Sequence, residues 1–131
     1  MPTKKPPITK PIIILGQTPS AKNRHIMTFN RLSGKPLLLP NKKYAEWTKD
    51  ALWQLKSTPK VKKYPVAMTC IFWVSDNRKR DLDNLCGAIC DVLQKAGIIE
   101  NDDWQHLRPI TLDIGGINPE NCRCEIWLDE A

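Results

Sequence analysis

The sequence predicts an α+β fold, in which a single domain is built from a mixed β-sheet with two main helices packed on one side. Two observations support this prediction. Short apolar segments with the two-residue period of β-strands recur along the chain. Two segments with the period of an amphipathic helix, residues 42–57 and 81–96, interrupt them. Helices and strands in mixed order within 131 residues are typical of one compact α+β domain.

The predicted strands differ in how completely they should be buried. Val66–Val74 alternates apolar and small side chains on both faces, so we expect a central strand that is covered on both sides. Two strands follow at Leu107–Ile114 and Cys122–Leu128, and residues 11–16 form a short strand near the amino terminus. The sequence at residues 31–35 indicates a turn with strand-like flanks.

Capping residues mark the limits of the two helices. Asn41 is a suitable N-cap for the first helix, and Thr58-Pro59 ends it. The second helix begins at Asp81, and its apolar side chains fall on one stripe. Gly97 follows at the position where a helix commonly ends on a left-handed glycine.

The remaining composition predicts where the protein works. Residues 1–10 are rich in proline and lysine and are expected to be a flexible arm, with residues 11–131 forming the single domain. No apolar run approaches the roughly 20 residues of a membrane span, and no signal-peptide pattern is present. Five cysteines without a secretion signal predict reduced, buried thiols rather than disulfides or zinc ligands. We therefore expect a cytoplasmic protein without a membrane partner.

Charge is divided unevenly along the chain. The protein has a net charge of +6 and a pI near 9.2, which favours a polyanionic partner. Residues 1–63 hold 14 Lys and Arg against 2 acidic residues, whereas residues 64–131 hold 6 against 12. Several of the lysines are expected only to solvate the surface. The division nevertheless suits a protein that holds phosphate with one part and metal with the other.

Carboxylates cluster at both ends of the second predicted helix. Asp81 and Asp83 lie at its start, and Asp102 and Asp103 follow its end. Such carboxylates repel one another unless a hard cation binds them, and oxygen ligands suit Mg²⁺ or Mn²⁺. A lone D-x-D is often only a helix cap or a solvated surface. The combination predicts a metal site that polarises a phosphoryl oxygen and activates a water molecule.

Basic and amide side chains near these carboxylates are candidates to bind DNA phosphates. One set lies in the loop after the first strand, and the other runs directly into the D-x-D sequence. The candidates are Lys22, Asn23, Arg24, Arg78, Lys79 and Arg80.

Residues 78–106 carry a specific motif, which begins with Arg80-Asp81-Leu82-Asp83-Asn84-Leu85 and continues with Asp91, Leu93, Lys95-Ala96-Gly97 and Asp102. This motif resembles the RusA family of phage-type Holliday junction resolvases, with weaker similarity over most of the domain. The resemblance implies a homodimeric, Mg²⁺-dependent endonuclease that introduces paired nicks in four-way DNA junctions. It also implies catalysis by Asp81, Asp83 and Asp102, with Asp103 as the adjacent alternative to Asp102.

One position departs from the family pattern. A catalytic lysine is expected four residues after the second aspartate of D-x-D, and Gly87 stands there. A missing lysine predicts slower cleavage that Gly87→Lys would accelerate, with Lys79, Arg80 or Lys95 as possible substitutes. The alternative is that a neighbouring backbone approaches the helix at this glycine, in which case lysine would destabilise the fold.

Other functions are compatible with parts of the sequence. A junction-binding protein without cleavage would be consistent with Gly87. A small metal-dependent nucleotide phosphohydrolase could use the same carboxylates, but the basic first half and the absence of a glycine-rich phosphate loop argue against it. An interaction module would leave the clustered aspartates without a role.

Overall fold

The computed structural model describes residues 10–130. Residues 1–9, which make up most of the predicted flexible arm, and Ala131 lie outside the described residues. Six strands, two α-helices and one 3-10 turn follow one another along the described part of the chain. They are β1 (Ile12–Leu15), the 3-10 turn (Ala21–Arg24), β2 (His25–Phe29), β3 (Pro36–Pro40), α1 (Lys42–Gln54), β4 (Val66–Val74), α2 (Leu82–Lys95), β5 (Leu107–Ile117) and β6 (Arg123–Glu130).

Four strands form the main sheet, in the order β1-β6-β4-β5. β4 runs parallel to β5 and antiparallel to β6, and β6 is antiparallel to β1. β2 and β3 pair separately as an antiparallel hairpin, with the predicted turn at residues 31–35 at its tip. The mixed sheet and the two helices confirm the predicted α+β fold.

Both helices contribute to one core on a single face of the main sheet. Along β4, alternate side chains from Val66 to Val74 are buried and those between them are half-buried. Buried side chains of α1, α2, β1 and β6 complete the same core. The expectation that both faces of β4 are covered therefore holds fully for only one face, because both helices join that side.

α2 places the candidate carboxylates at its two ends. Seven of its 14 residues are buried, and burial of a Leu or Ile side chain stabilises a fold by about 1.5–3 kcal/mol. The helix ends on Gly97, whose φ of 74° is the predicted left-handed conformation. The N–H groups of Gly97 and Ile98 donate to the carbonyls of Gln94 and Leu93. This tight closing turn directs the chain into the loop that carries Asp102.

Several element boundaries differ from the prediction, and β6 runs over Arg123–Glu130 rather than Cys122–Leu128. α1 ends at Gln54 rather than at residue 57, because residues 55–57 continue as a turn rather than as α-helix. β5 extends to Ile117 rather than Ile114, since its pairing with β4 continues across an irregularity to Val74.

The cysteines are distributed as predicted. All five are free, four are buried and Cys122 is half-buried. Within residues 10–130, no helix has the length and apolar character needed to cross a membrane.

Candidate functional site

Asp81 lies at the amino-terminal end of α2 with its carboxylate free of the helix backbone. Its carbonyl accepts from the N–H groups of Asn84 and Leu85 at 3.1 and 3.2 Å, and it is the N-cap residue. Its side chain, however, makes no capping hydrogen bond and is 67% exposed. The carboxylate contacts the side-chain amide of Asn84 at 3.3 Å. A side chain that would ordinarily cap the helix is therefore left available to a ligand.

Asp83 and Asp102 both act electrostatically on the same buried thiol, that of Cys86, although 19 positions separate them in the sequence. The hydrogen bond with Cys90 lowers the pKa of Cys86, whereas burial and then the charges of Asp102 and Asp83 act to raise it. The hydrogen bond with Cys86, burial and the charge of Asp102 raise the pKa of Cys90. Both carboxylates are exposed. The fold therefore brings the loop after α2 back beside the first turns of the helix.

Asp103 lies in a different environment from Asp102. Its Oδ1 is 2.6 Å from Nδ1 of His106 and also accepts from the N–H of Gln105 at 3.0 Å. The hydrogen bond with His106 holds the pKa of Asp103 below its ordinary value, and the same bond raises the pKa of His106. Asp103 thus orders the loop, while Asp102 is the free carboxylate of the pair.

These carboxylates do not form a finished metal site by themselves. In the part of the chain that the structure describes, no group of three or more His, Cys, Asp or Glu side chains is arranged to hold a metal ion. Asp81 and Asp83 nevertheless present exposed oxygen donors at the start of α2, and Asp102 presents another in the loop that follows the helix. Oxygen donors of this kind fit a hard cation such as Mg²⁺ rather than a soft one.

A basic cavity of about 350 Å³ lies next to Asp81. The loop between β1 and β2 forms one wall, and the segment that leads into α2 forms the other. Of the six predicted DNA-binding residues, all except Arg24 line this cavity. The lining residues that bear on DNA binding are Lys22, Asn23, Arg78, Lys79 and Arg80.

Arg80 serves mainly to hold this wall together. Its guanidinium donates to Oδ1 of Asp76 at 2.8 Å and to the backbone carbonyl of Asp76 at 3.0 Å, and its side chain is only 18% exposed. The backbone N–H of Arg78 and the guanidinium of Arg80 keep the pKa of Asp76 low. Arg78 and Lys79 remain exposed on the surface of the wall.

The 3-10 turn Ala21–Arg24 is fastened to α2 through Arg24. Its guanidinium lies 2.8 Å from Oδ2 of Asp91 and donates to the carbonyl of Ala21 at 2.9 Å. The hydroxyl of Tyr44 in α1 donates to the same Asp91 oxygen at 3.2 Å. Burial and the neighbouring Asp91 charge raise the pKa of Tyr44 to about 12. Arg24, predicted to bind DNA, thus forms an ion pair within the fold while its side chain stays 46% exposed.

Gly87 lies where this turn meets the helix. A Cβ atom added at Gly87 would lie 2.9 Å from Cβ of Ala21, and Ala21 is buried. Side chains pack with few voids, so a Cβ atom at this position would force the turn or the helix to shift. Of the two alternatives raised by the sequence, the structure supports close packing of a neighbouring segment against the glycine, although the atom in contact is the side-chain Cβ of Ala21 rather than backbone.

The sequence alone did not predict the contacts of this turn with the helix. Nothing in the sequence pairs Arg24 with Asp91 or Tyr44, because such contacts depend on the tertiary fold. The available signal was Gly87 itself, since a glycine costs about 1 kcal/mol in the middle of a helix. A glycine at such a position suggests that another segment approaches closely.

Comparison with known proteins identifies the family of the chain. The family model described as endodeoxyribonuclease RusA matches residues 17–121, which include the turn, α2 and the loop that follows it. The crossover junction endodeoxyribonuclease RusA of Aquifex aeolicus (strain VF5) is 31% identical over 94 residues. That alignment covers 70% of this chain and 71% of the relative. The chain therefore belongs to the RusA family of endodeoxyribonucleases.

Proposed function

We propose that this protein is a Mg²⁺-dependent endodeoxyribonuclease that resolves four-way DNA junctions by paired phosphodiester hydrolysis. The main support is the presence of three exposed carboxylates, Asp81, Asp83 and Asp102, the first of which lines a basic cavity. The family of the chain and the crossover-junction activity named for the Aquifex relative support branched DNA as the substrate.

Asp81, Asp83 and Asp102 are the proposed metal ligands. When bound, Mg²⁺ or Mn²⁺ would polarise a phosphoryl oxygen and make a bound water more acidic. Asp103 is the less suitable donor, because its Oδ1 already accepts from His106 and from the N–H of Gln105. The three exposed carboxylates also repel phosphate, so they favour DNA at this position only when the cation is present.

The basic residues divide into two roles under this proposal. Lys22, Asn23, Arg78 and Lys79 are exposed around the cavity and contact phosphates of the DNA. Arg24 holds the turn to α2 through Asp91, and Arg80 holds the other wall of the cavity in a comparable way. Phosphate contacts release counterions, so junction binding should weaken steeply as salt is raised.

A labelled four-way junction tests this function directly. With saturating protein, the parent should cut the junction symmetrically when Mg²⁺ is added and should only bind it when Mg²⁺ is absent. Binding without cleavage in Mg²⁺ and in Mn²⁺ would instead identify a junction-binding protein. Release of phosphate from a nucleotide, without junction cleavage, would identify a phosphohydrolase.

Paired nicks also call for two active sites, and we propose a homodimer related by a two-fold axis. The β2–β3 hairpin supplies a surface for it. Its strands lie outside the main core, and an isolated two-stranded hairpin is marginally stable in water. Six large apolar side chains of the two strands are exposed. They are Ile26, Met27, Phe29, Leu37, Leu38 and Leu39.

Of the two outer edges of this hairpin, that of β2 is the better one for pairing with another strand. Hydrogen bonds from Asn41 to Arg24 and from Asn30 to Lys35 lie at the two ends of the ladder. Because bonded pairs alternate along antiparallel strands, the N–H groups at positions 25, 27 and 29 point outward. The outward positions of β3 are 36, 38 and 40, and two of these are prolines without an N–H group.

A second copy of β2 fits that edge. Two antiparallel β2 strands can pair about a two-fold axis at Met27, which brings the apolar side chains of the two strands into cross-strand contact. Neither β2 nor β3 contains an Asp, Glu, Lys or Arg side chain. Each copy of the protein has a net charge of +6, but pairing at this edge places no like charges opposite each other.

Light scattering of Met27→Lys tests this interface. Lysine at Met27 would place two ammonium groups opposite each other, so the variant should be a monomer where the parent is a dimer. Leu32→Lys, at the fully exposed tip of the hairpin, is the matched control and should remain a dimer. A dimeric Met27→Lys protein would exclude this edge as the interface.

A further inference from the structure

The 3-10 turn Ala21–Arg24 holds one lysine at the mouth of the candidate site. The turn is fixed to α2 at two points, by the contact of Ala21 with Gly87 and by the ion pair of Arg24 with Asp91. Oγ of Ser20 accepts from the backbone N–H of Lys22 at 3.3 Å and caps the turn. The position of Lys22 is therefore set by the packing of the turn rather than by its own side chain.

The Lys22 side chain projects to Asp81. Its Nζ lies 3.6 Å from Oδ2 of Asp81, and the two side chains are 69% and 67% exposed. An exposed lysine–carboxylate pair contributes little to stability, because water and salt screen it. The fold thus has little structural need for an ammonium group at this place.

We infer that Lys22 is a catalytic residue, whose ammonium group contacts the scissile phosphate and stabilises the charge that develops on its oxygens. This inference rests on the proposed nuclease function and adds a role beyond general DNA binding. In the hydrolysis, water oxygen bonds to phosphorus and one P–O ester bond breaks. The water proton passes to solvent, and the leaving oxygen takes up a proton. Lys22 remains protonated and provides only charge and hydrogen bonds.

Gly87 is the positioning residue for this lysine. With hydrogen instead of a Cβ atom at Gly87, Ala21 can rest on the helix surface, and the next residue, Lys22, then reaches Asp81 at the end of the same helix. A side chain at position 87 would push the turn outward and move Lys22 away from Asp81. The effects of substitutions at Gly87 and at Lys22 on the cleavage rate should therefore be coupled.

Single-turnover cleavage of a four-way junction by Lys22→Met tests the role of the lysine. At saturating protein and Mg²⁺, the variant should cut roughly 10²-fold more slowly than the parent. Its dissociation constant for the junction should change far less, with a loss of about one unit in the salt slope of binding. Lys22→Arg keeps the charge and should recover part of the rate.

Lys62→Met is the matched control, because Lys62 is an exposed lysine away from the site. It should cut and bind as the parent does. A Lys22→Met protein that binds more weakly but cuts at the parent rate when saturated would overturn the inference and leave Lys22 as a binding residue. If the parent itself fails to cut in Mg²⁺, the proposed function fails instead.

A double-mutant cycle tests the link to Gly87. Gly87→Ala should slow cleavage in the parent background, because its Cβ atom displaces the turn. In the Lys22→Met background the same substitution should cause no further loss, since the displaced group is already absent. Equal losses in both backgrounds would contradict the positioning role. If Gly87→Ala does not fold, the series at Lys22 still decides the catalytic role.

Discussion

The aspartates around α2 fall into two groups that differ in their partners. In one group each carboxylate lies 2.6–2.8 Å from an arginine or histidine nitrogen. These pairs are Asp76 with Arg80, Asp91 with Arg24 and Asp103 with His106. In the other group, Asp81, Asp83 and Asp102 are exposed, and among residues 10–130 no arginine or histidine nitrogen lies so close to them. Aspartates of the first group therefore stabilise the fold through ion pairs, whereas those of the second group remain available to a ligand.

The largest effects on cleavage should come from substitutions in the exposed group, Asp81, Asp83 and Asp102. Asp81→Asn, Asp83→Asn and Asp102→Asn each remove a charge that is proposed to hold the metal, and each should lose junction cleavage. Binding of the junction should stay intact or become tighter, because a carboxylate that repels phosphate is gone. Gel-shift and cleavage assays on the same samples measure both. Normal cleavage by Asp81→Asn or Asp83→Asn would remove that residue from the site.

A substitution at Gly87 should act next most strongly, through packing. Gly87→Lys forces a side chain against Ala21, and overpacking of this kind costs about 1–3 kcal/mol. Better helix propensity offsets up to about 1 kcal/mol of that cost. Urea unfolding should therefore show a less stable protein, and its cleavage should be slower. A variant that is as stable as the parent and faster would support a missing catalytic lysine at this position.

Breaking an ion pair of the first group should reduce the stability of the fold rather than the rate of cleavage. Asp91→Asn weakens the bond with Arg24 and should lower the free energy of unfolding by about 1–2 kcal/mol, a reduced value because Arg24 is partly exposed. Glu46→Gln, at an exposed position of α1, is the charge-matched control and should change little. Equal urea midpoints for Asp91→Asn and the parent would show that the pair does not hold the turn.

The smallest expected effect is a pH dependence of protein stability, which comes from the pair of Asp103 and His106. The hydrogen bond with Asp103 raises the pKa of His106, so its stabilisation is complete below the ordinary histidine pKa of about 6.5 and is lost as pH rises through the folded value. The same bond lowers the pKa of Asp103. That contribution is present above about pH 3.9 and is lost as pH falls through the lowered value.

Melting temperatures of His106→Gln and the parent check this window. Their difference should be greatest between about pH 4 and about pH 6.5 and should shrink at higher pH. A difference that stays constant from about pH 5 to about pH 9 would exclude an ionised pair.

Local patterns in the sequence were sufficient for most of the fold. The alternation in Val66–Val74 and the apolar stripe of α2 predicted the central strand and the main helix. Gly97 marked the end of α2, as the structure confirms. Each of these features depends on the period of the chain or on a single backbone conformation, and both are readable from adjacent residues.

The candidate site was less predictable, because its geometry depends on contacts between distant segments. The sequence grouped Asp102 with Asp103, but only the fold shows that Asp103 is bound to His106. It likewise grouped Arg24 with Lys22, although Arg24 pairs with Asp91 and Lys22 reaches Asp81. Residue type and spacing do not encode which charges find internal partners.

The neighbouring residues Asp102 and Asp103 allow the most direct test of the two-group account. Single-turnover cleavage of a four-way junction should be measured for Asp102→Asn and Asp103→Asn in Mg²⁺, at a temperature where both proteins are folded. We predict that Asp102→Asn loses cleavage while Asp103→Asn cuts at close to the parent rate. Normal cleavage by Asp102→Asn together with loss of cleavage in Asp103→Asn would contradict the account.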